Sequence, residues 1–146
     1  MKQLYTPVLL FVFLFAACSG KQTNLSFELN PEHERKIDAL ISQMSLEEKV
    51  GQTCQITLDA ILKKDSANKL IEPHQIDLEK LEEAINKYKV GSVLNVSNHT
   101  FTLEKWNGIV KTIQEAAAKS STKIPVIYGV DAIHGATYIQ KSTLFP

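Results

Sequence analysis

The fold is decided by residues 92–130, which read SVLNVSNHTFTLEKWNGIVKTIQEAAAKSSTKIPVIYGV. Two short apolar runs rich in β-branched residues, Val90–Val96 and Ile124–Val130, predict strands. Between them Thr102 caps a long predicted helix, whose apolar stripe consists of Trp106, Ile109, Val110 and Ile113. Two strands joined by a helix of this length are expected to be parallel, with a right-handed crossover. The stretch therefore predicts an α/β fold built on a parallel sheet.

Two predicted helices precede this unit. Asn30 followed by Pro31 is typical of a helix start, and the helix carries an apolar stripe of Ile37, Leu40, Ile41 and Met44. Ser45 and Glu48 have the spacing of a capping box, so a second short helix is expected to begin there and to run towards Gly51.

The segment between these helices and the strand–helix–strand unit is less regular. Gln52–Leu58 predicts another strand, and residues 59–75 predict an irregular excursion. Asp77 caps the next helix, with a hydrophobic staple between Ile76 and Leu81. The predicted buried face of this helix consists of Leu78, Leu81, Ile85 and Tyr88.

The N-terminus has the pattern of an export signal. Residues 1–17 carry Lys2 and then an apolar stretch too short to span a bilayer comfortably, which predicts a signal peptide. Small residues before Cys18 resemble the lipobox of bacterial lipoproteins, in which the cysteine is lipidated. Ordinary secretory cleavage after Ala17 is the alternative. We expect a polar tether over residues 18–30 and a position on the periplasmic side of the outer membrane, held by the lipid, or free in the periplasm.

Bulk composition limits the class of protein. The 146 residues are 22% charged and 44% hydrophobic with a formal net charge of zero, enough for one modest domain. The absence of a basic excess argues against a nucleic-acid partner. Cys54 is the only cysteine besides Cys18, so we expect no disulfide framework and a buried small residue at position 54. Leu144–Pro146 carries no C-terminal signature, and we expect the chain to stop within a domain.

The chemistry concentrates in Gly129–Gly135, directly after the last predicted strand. Ligands of parallel α/β folds bind at the carboxyl ends of the strands. The Asp131 carboxylate could accept hydrogen bonds from two hydroxyls of a polyhydroxylated ligand. It could equally act as a catalytic carboxylate or cap the turn. The residue types and their spacing leave these three roles open.

Other side chains give weaker signals. His134 could join Asp131 on a metal ion, but no third ligand stands out, so hydrogen bonding of His134 within the turn is the favoured interpretation. Tyr138 could line a ligand cleft or plug the end of a barrel. We expect no metal and no cofactor. The remaining histidines are predicted to be solvent-exposed: His33, His74 and His99.

Four segments resemble, in order and spacing, the N-terminal signature of glycoside hydrolase family 3. The most specific is Ile124–Gly135, with its Gly-x-Asp-x-x-His-Gly element. The others are Ser45–Gln52, Val90–Val96 and Thr143–Pro146. The resemblance covers residues 31–146.

This resemblance implies a retaining β-glucosidase or exo-glucanase that releases terminal β-D-glucosyl residues. It implies that residues 31–146 form the N-terminal part of a (β/α)8 TIM-like barrel, truncated here. Asp131 matches the residue that binds glucose hydroxyls in the subsite of the non-reducing-end sugar, with His134 and Tyr138 as possible supports. The nucleophile and the acid/base lie beyond residue 146 in the family, so the chain alone is expected to be inactive.

Two positions depart from the family pattern, and two other functions stay open. Thr137 stands where the family often has Asn, and Lys141 stands where it usually has glycine, which bears on the shape of the loop. The first alternative function is a non-catalytic sugar-binding lipoprotein that retains Asp131. The second is a metal-dependent barrel hydrolase that uses Asp131 and His134.

Overall fold

The computed structural model describes residues 30–95 and 100–143. Its helices are α1 (Pro31–Gln43), α2 (Leu46–Gln52), α3 (Leu78–Glu82) and α4 (Leu103–Lys119), and its strands are β1 (Gln55–Thr57), β2 (Ser92–Asn95) and β3 (Ile127–Val130). A 3-10 turn, Leu58–Ile61, follows β1, and a π-helical turn, Glu83–Lys87, continues α3. The predicted signal peptide, Cys18, most of the tether and His99 lie outside the described residues.

The three strands form one parallel sheet in the order β1-β2-β3. Val93 of β2 lies opposite Ile56 of β1 and Tyr128 of β3. Because α4 connects β2 to β3, this is the parallel strand–helix–strand unit that the sequence predicts. The α/β prediction is therefore confirmed.

The chain divides at Lys36 into two compact units, and the sheet belongs to the second, residues 37–146. The described part of the first unit is the beginning of α1, where the Asn30 side chain accepts a hydrogen bond from the Glu32 backbone at 2.9 Å. Helix α1 buries none of its residues, and its predicted apolar stripe stays exposed at Ile37, Leu40 and Ile41.

Helix α4 follows the sequence prediction closely. The Thr102 hydroxyl accepts a hydrogen bond from the Lys105 backbone at 3.2 Å, which satisfies one free N–H of the first turn. Three residues of the helix are buried: Ile109, Ile113 and Ala117. They pack in one apolar core with the buried side chains of β2, α3 and the 3-10 turn.

Helix α2 begins with the predicted capping box. The Ser45 hydroxyl accepts from the Glu48 backbone, and the Glu48 carboxylate accepts from the Ser45 backbone. The same carboxylate accepts a hydrogen bond from the Ser121 hydroxyl, 73 residues along the chain. These hydrogen bonds, from Ser121 first and the Ser45 backbone second, lower the pKa of Glu48.

Two glycines, Gly51 and Gly91, lie where other backbone segments approach closely. The Gly91 N–H donates to the Gly51 carbonyl at 3.1 Å. A Cβ on Gly91 would collide with the backbone of Gln52, and a Cβ on Gly51 would collide with the backbone of Tyr88 and Lys89. Only glycine therefore fits at either position. The contact between the two glycines joins the end of α2 to the start of β2.

Strands β1 and β3 are shorter than predicted, and β2 begins later than predicted, because flanking residues make other hydrogen bonds. Thr53 and Cys54 donate to carbonyls of α2 and close a turn before β1. The Val126 backbone pairs with the Gln114 side chain of α4 instead of a strand: its N–H donates to Oε1 at 3.2 Å, and its carbonyl accepts from Nε2 at 2.6 Å. A side chain of α4 thus fixes where β3 begins.

Two predictions of burial are wrong around α3. Leu78 and Tyr88 are 66% and 57% exposed, while Leu81 and Ile85 are buried as predicted. In the π-helical turn the Tyr88 N–H donates to the Glu83 carbonyl, five residues back. The wider turn departs from helical spacing, and Ala84 joins the buried face.

Cys54 and His74 also differ from expectation. Cys54 is exposed, because it lies in the turn after α2, where its thiol donates to the Val50 carbonyl at 3.4 Å. His74 is buried against the ring of Phe101, and its two ring nitrogens lie 3.0 Å from the Ile71 carbonyl and 3.0 Å from a Glu72 carboxylate oxygen. Tertiary packing of the loop around residue 74, which local sequence does not encode, buries this ring.

Candidate functional site

The two faces of the sheet have different surroundings. The helix face carries Ile56, Val93, Asn95 and Tyr128, which are buried or partly buried. The open face carries the alternate residues, including exposed Gln55 and Thr57 and, on β3, Ile127, which is 71% exposed. Because side chains alternate along a strand, a residue two positions after Gly129 belongs to the open face.

Asp131 is that residue, and it lies one position beyond the carboxyl end of β3. Its backbone N–H donates to the Asn95 carbonyl at 3.4 Å, the last rung between β2 and β3 within the described residues. Its side chain is exposed, and within the described residues the carboxylate accepts no hydrogen bond and pairs with no cation. Capping of the turn would require such a hydrogen bond, so the geometry leaves this carboxylate available to a ligand.

The loop after Asp131 is pinned to the loop between β2 and α4. The Phe101 N–H donates to the Tyr138 carbonyl at 2.9 Å, and the Gln140 N–H donates to the Phe101 carbonyl at 2.9 Å. The Ser142 hydroxyl closes the loop from inside by donating to the Ala136 carbonyl at 2.7 Å. Residues 131–143 therefore form an ordered rim at the carboxyl edge of the sheet.

His134 and Tyr138 lie on this rim. The His134 side chain is exposed and has no hydrogen-bond or ionic partner among residues 30–95 and 100–143, so the geometry does not support its fixation within the turn. Tyr138 is half-buried. No group of three or more His, Cys, Asp or Glu side chains in the described part of the chain is placed to hold a metal ion.

Backbone strain accompanies the rim. Gly135 has a φ of 88°, which glycine adopts without cost. Lys141 has a φ of 64°, in the left-handed region that side chains with a Cβ avoid. This is the position at which the resemblance leads one to expect glycine, so the loop keeps a glycine-like conformation with a lysine in place.

Two buried polar side chains lie behind the strand ends. The Asn95 side chain is fully buried, and neither of its amide atoms has a hydrogen-bond partner; the same is true of the buried Tyr128 hydroxyl. Burial raises the pKa of Tyr128 to about 12, and the Asn95 amide nearby offsets part of that rise. The two side chains are thus neighbours, but no atom pair between them meets the distance and angle of a hydrogen bond.

Sequence reasoning did not single out Asn95. The available signal was its position, since Asn95 is polar and lies in phase with Val93 on the buried side of an apolar strand. The Trp106 ring packs edge-on against the rings of Tyr128 and Phe101, with ring centroids 5.5 Å and 6.3 Å apart. Trp106 therefore belongs to the same region.

A wide apolar groove lies elsewhere in the described residues. It has a volume of about 840 Å³ and lies between α2, β1 and the α3 segment, with an apolar lining that includes Leu46, Val50, Ile56 and Tyr88. A groove with so few polar groups offers little to fix a polyhydroxylated ligand. We therefore assign the candidate site to the rim around Asp131. None of the described helices is long and apolar enough to cross a membrane.

Comparison with known proteins identifies the family. Residues 45–146 match the family model described as the glycosyl hydrolase family 3 N terminal domain. The chain is also 36% identical over 121 residues to the lysosomal beta glucosidase of Dictyostelium discoideum. That alignment covers 75% of the chain but 14% of the relative, so the chain spans about one seventh of this relative's length. With the family model matching well over half of its residues, the chain belongs to glycosyl hydrolase family 3.

Proposed function

We propose that the full-length protein is a retaining β-glucosidase that removes terminal β-D-glucosyl residues, and that Asp131 binds hydroxyls of the terminal glucose. The observation that carries this proposal is an exposed, unpartnered carboxylate at the carboxyl edge of a parallel sheet, within the segment that belongs to the family. An ionised carboxylate offers acceptors to two neighbouring hydroxyls. The name of the Dictyostelium relative supports the same substrate class.

The catalytic carboxylates belong, in this proposal, to a part of the protein beyond the 146 residues. A retaining glycosidase needs a nucleophile and an acid/base on opposite sides of the scissile bond. Asp131 binds rather than attacks the sugar, and fixed hydroxyl contacts position the sugar and strengthen in the transition state. We therefore expect the 146-residue chain by itself to hydrolyse no glycoside.

The experiment compares the full-length protein with the 146-residue chain on an aryl β-D-glucoside and on the matching α-glucoside. We expect the full-length protein to release the phenol from the β-anomer only, with the product sugar initially in the β-form by NMR. Binding of glucose without turnover would favour the alternative, a non-catalytic sugar-binding lipoprotein. Activity of the short chain that Asp131→Ala abolishes would overturn the division of roles.

We propose further that β1, β2 and β3 are consecutive strands of a (β/α)8 barrel. Two observations support it: the open face of the sheet exposes apolar Ile127, and an apolar groove runs beside edge strand β1. In a closed barrel the open face becomes the packed interior, and neighbouring helices cover the groove.

Ile127→Ala in the full-length protein tests the barrel, with Ile113→Ala as the matched change on the buried side of α4. If the barrel closes, both substitutions leave a cavity and each lowers the free energy of unfolding by about 2–4 kcal/mol. Urea unfolding measures both changes. A loss of less than about 0.5 kcal/mol for Ile127→Ala alone would mean that this face stays open to solvent.

We also propose export and attachment to the membrane through a lipid on Cys18, with the protein facing the periplasm. The support is the sequence pattern of residues 1–18. Cys18→Ala should move the protein from the membrane fraction to the soluble fraction, and Cys54→Ala is the control that should not. Unchanged membrane association of Cys18→Ala would exclude lipidation as the anchor.

A further inference from the structure

We propose that Asn95 is a positioning residue for Asp131, and that its buried amide pairs with the Tyr128 hydroxyl behind the ends of β2 and β3. The proposal rests on the proposed role of Asp131 in sugar binding.

The link between the two residues is the last rung of the sheet that the described residues contain. The Asn95 carbonyl accepts the hydrogen bond from the Asp131 N–H, and its length of 3.4 Å is beyond the usual range of such bonds. At the amino end of the same strand pair, the Ile127 N–H donates to the Gly91 carbonyl at the shorter distance of 2.9 Å. A weak last rung leaves the orientation of Asp131 dependent on whatever holds Asn95 from the other face.

The Asn95 side chain is the group that can hold this residue from the buried face of the sheet. It is fully buried. Burial of an asparagine side chain costs free energy unless its amide forms hydrogen bonds. The Tyr128 hydroxyl is the neighbouring polar group, on the adjacent strand and on the same face. Each group is a polar partner for the other, and buried polar side chains in proteins are as a rule paired.

The rings around the pair hold it in place. Trp106 packs edge-on against Tyr128 and against Phe101, whose backbone forms the two hydrogen bonds that pin the rim loop. The pair therefore lies between these packed rings and the strand ends. A shift of Asn95 at this place moves the Asp131 backbone through the hydrogen bond that joins them.

The test uses Asn95→Leu, Tyr128→Phe and the double variant in the full-length protein. Each single change leaves one buried polar group without its partner, and we expect each to lower the unfolding midpoint by a few degrees. The double variant removes both polar groups and should recover most of the midpoint, because an apolar pair of similar shape carries no unpaired group. In contrast, kcat/KM and glucose affinity should fall about tenfold in Asn95→Leu and stay low in the double variant.

The matched control is Val93→Ala, a truncation two residues earlier on the same face of β2. It should lower the unfolding midpoint and leave kcat/KM within about twofold of wild type. Recovery of kcat/KM together with the midpoint in the double variant, or an equal loss in Val93→Ala, would show a purely structural role. Additive midpoints in the single and double variants would disprove the pair.

The failure of this inference can be separated from that of the proposed function. A wild-type protein that hydrolyses no β-glucoside defeats the proposed function. The unfolding midpoints then still decide the pair, and calorimetric titration with glucose still decides whether Asn95 positions the sugar-binding carboxylate.

Discussion

The amino ends and the carboxyl ends of the three strands are built differently. At the amino ends, Gly91 donates to the Gly51 and Cys54 carbonyls, and Gln114 clamps the backbone of Val126. At the carboxyl ends, and among the described residues, the Asp131 N–H donates one hydrogen bond of 3.4 Å and its carboxylate has no partner. The amino ends are close-packed, whereas the carboxyl end of β3 leaves the Asp131 side chain exposed.

Under the proposed function, this difference separates the residues that contribute to stability from those that bind the sugar along the same strands. In barrels of parallel strands, the loops after the strands carry the active site, and the opposite end contributes to stability. A substitution at the amino ends should therefore change unfolding and leave substrate affinity unchanged. At the carboxyl ends, a substitution of the exposed Asp131 carboxylate should lower substrate affinity and leave unfolding nearly unchanged.

The largest effect is expected at Asp131. Asp131→Asn keeps the size of the side chain, removes its charge and replaces an acceptor by a donor. A hydrogen bond to a charged group contributes about 1.5–3 kcal/mol, so the loss of two should lower kcat/KM of the full-length protein by about 10²–10⁴-fold. Steady-state kinetics on an aryl β-glucoside measure the change.

Two controls accompany that variant. Asp38→Asn, an exposed carboxylate on α1, should leave kcat/KM unchanged. Azide should not rescue Asp131→Asn, since rescue with inversion at the anomeric carbon would make Asp131 the nucleophile. Near-normal activity of Asp131→Asn would return this residue to a structural role.

The next effect concerns the close-packed end. Gly91→Ala places a Cβ against the backbone of Gln52, which cannot move without shifting α2, and should lower the free energy of unfolding by about 2–3 kcal/mol. The control is Gly108→Ala, in the exposed part of α4 with no atom near the added methyl. It should instead raise that free energy by about 0.5–1 kcal/mol. Equal effects in urea unfolding would contradict the close-packing argument.

The smallest effect is expected in the strained rim. Lys141→Gly removes a Cβ from a residue with a φ of 64° and should raise the free energy of unfolding by about 1 kcal/mol or less. Gly135→Ala is the converse change, at a φ of 88°, and should lower it by about 1–2 kcal/mol. A loss of stability in Lys141→Gly would mean that the lysine side chain contributes more than its backbone strain costs.

Much of the fold and the central candidate residue could be predicted from the sequence. The Ser45–Glu48 capping box, the Thr102 cap and the stripe of α4 depend on residues within a few positions of each other, so local sequence encodes them. The parallel pairing of β2 and β3 follows from the length of the helix between them. The position of Asp131 after a strand follows in the same way, while its role in sugar binding stays a prediction.

The tertiary structure alone decided what depends on contacts between distant residues. Gln114 of α4 sets where β3 begins, the ring of Phe101 covers His74, and the π-helical turn rotates Tyr88 into solvent. The buried proximity of Asn95 and Tyr128, 33 positions apart in sequence, likewise appears only when two strands pair. Periodicity reports which side of one element is apolar, but the free energy of burial depends on which other element covers that side.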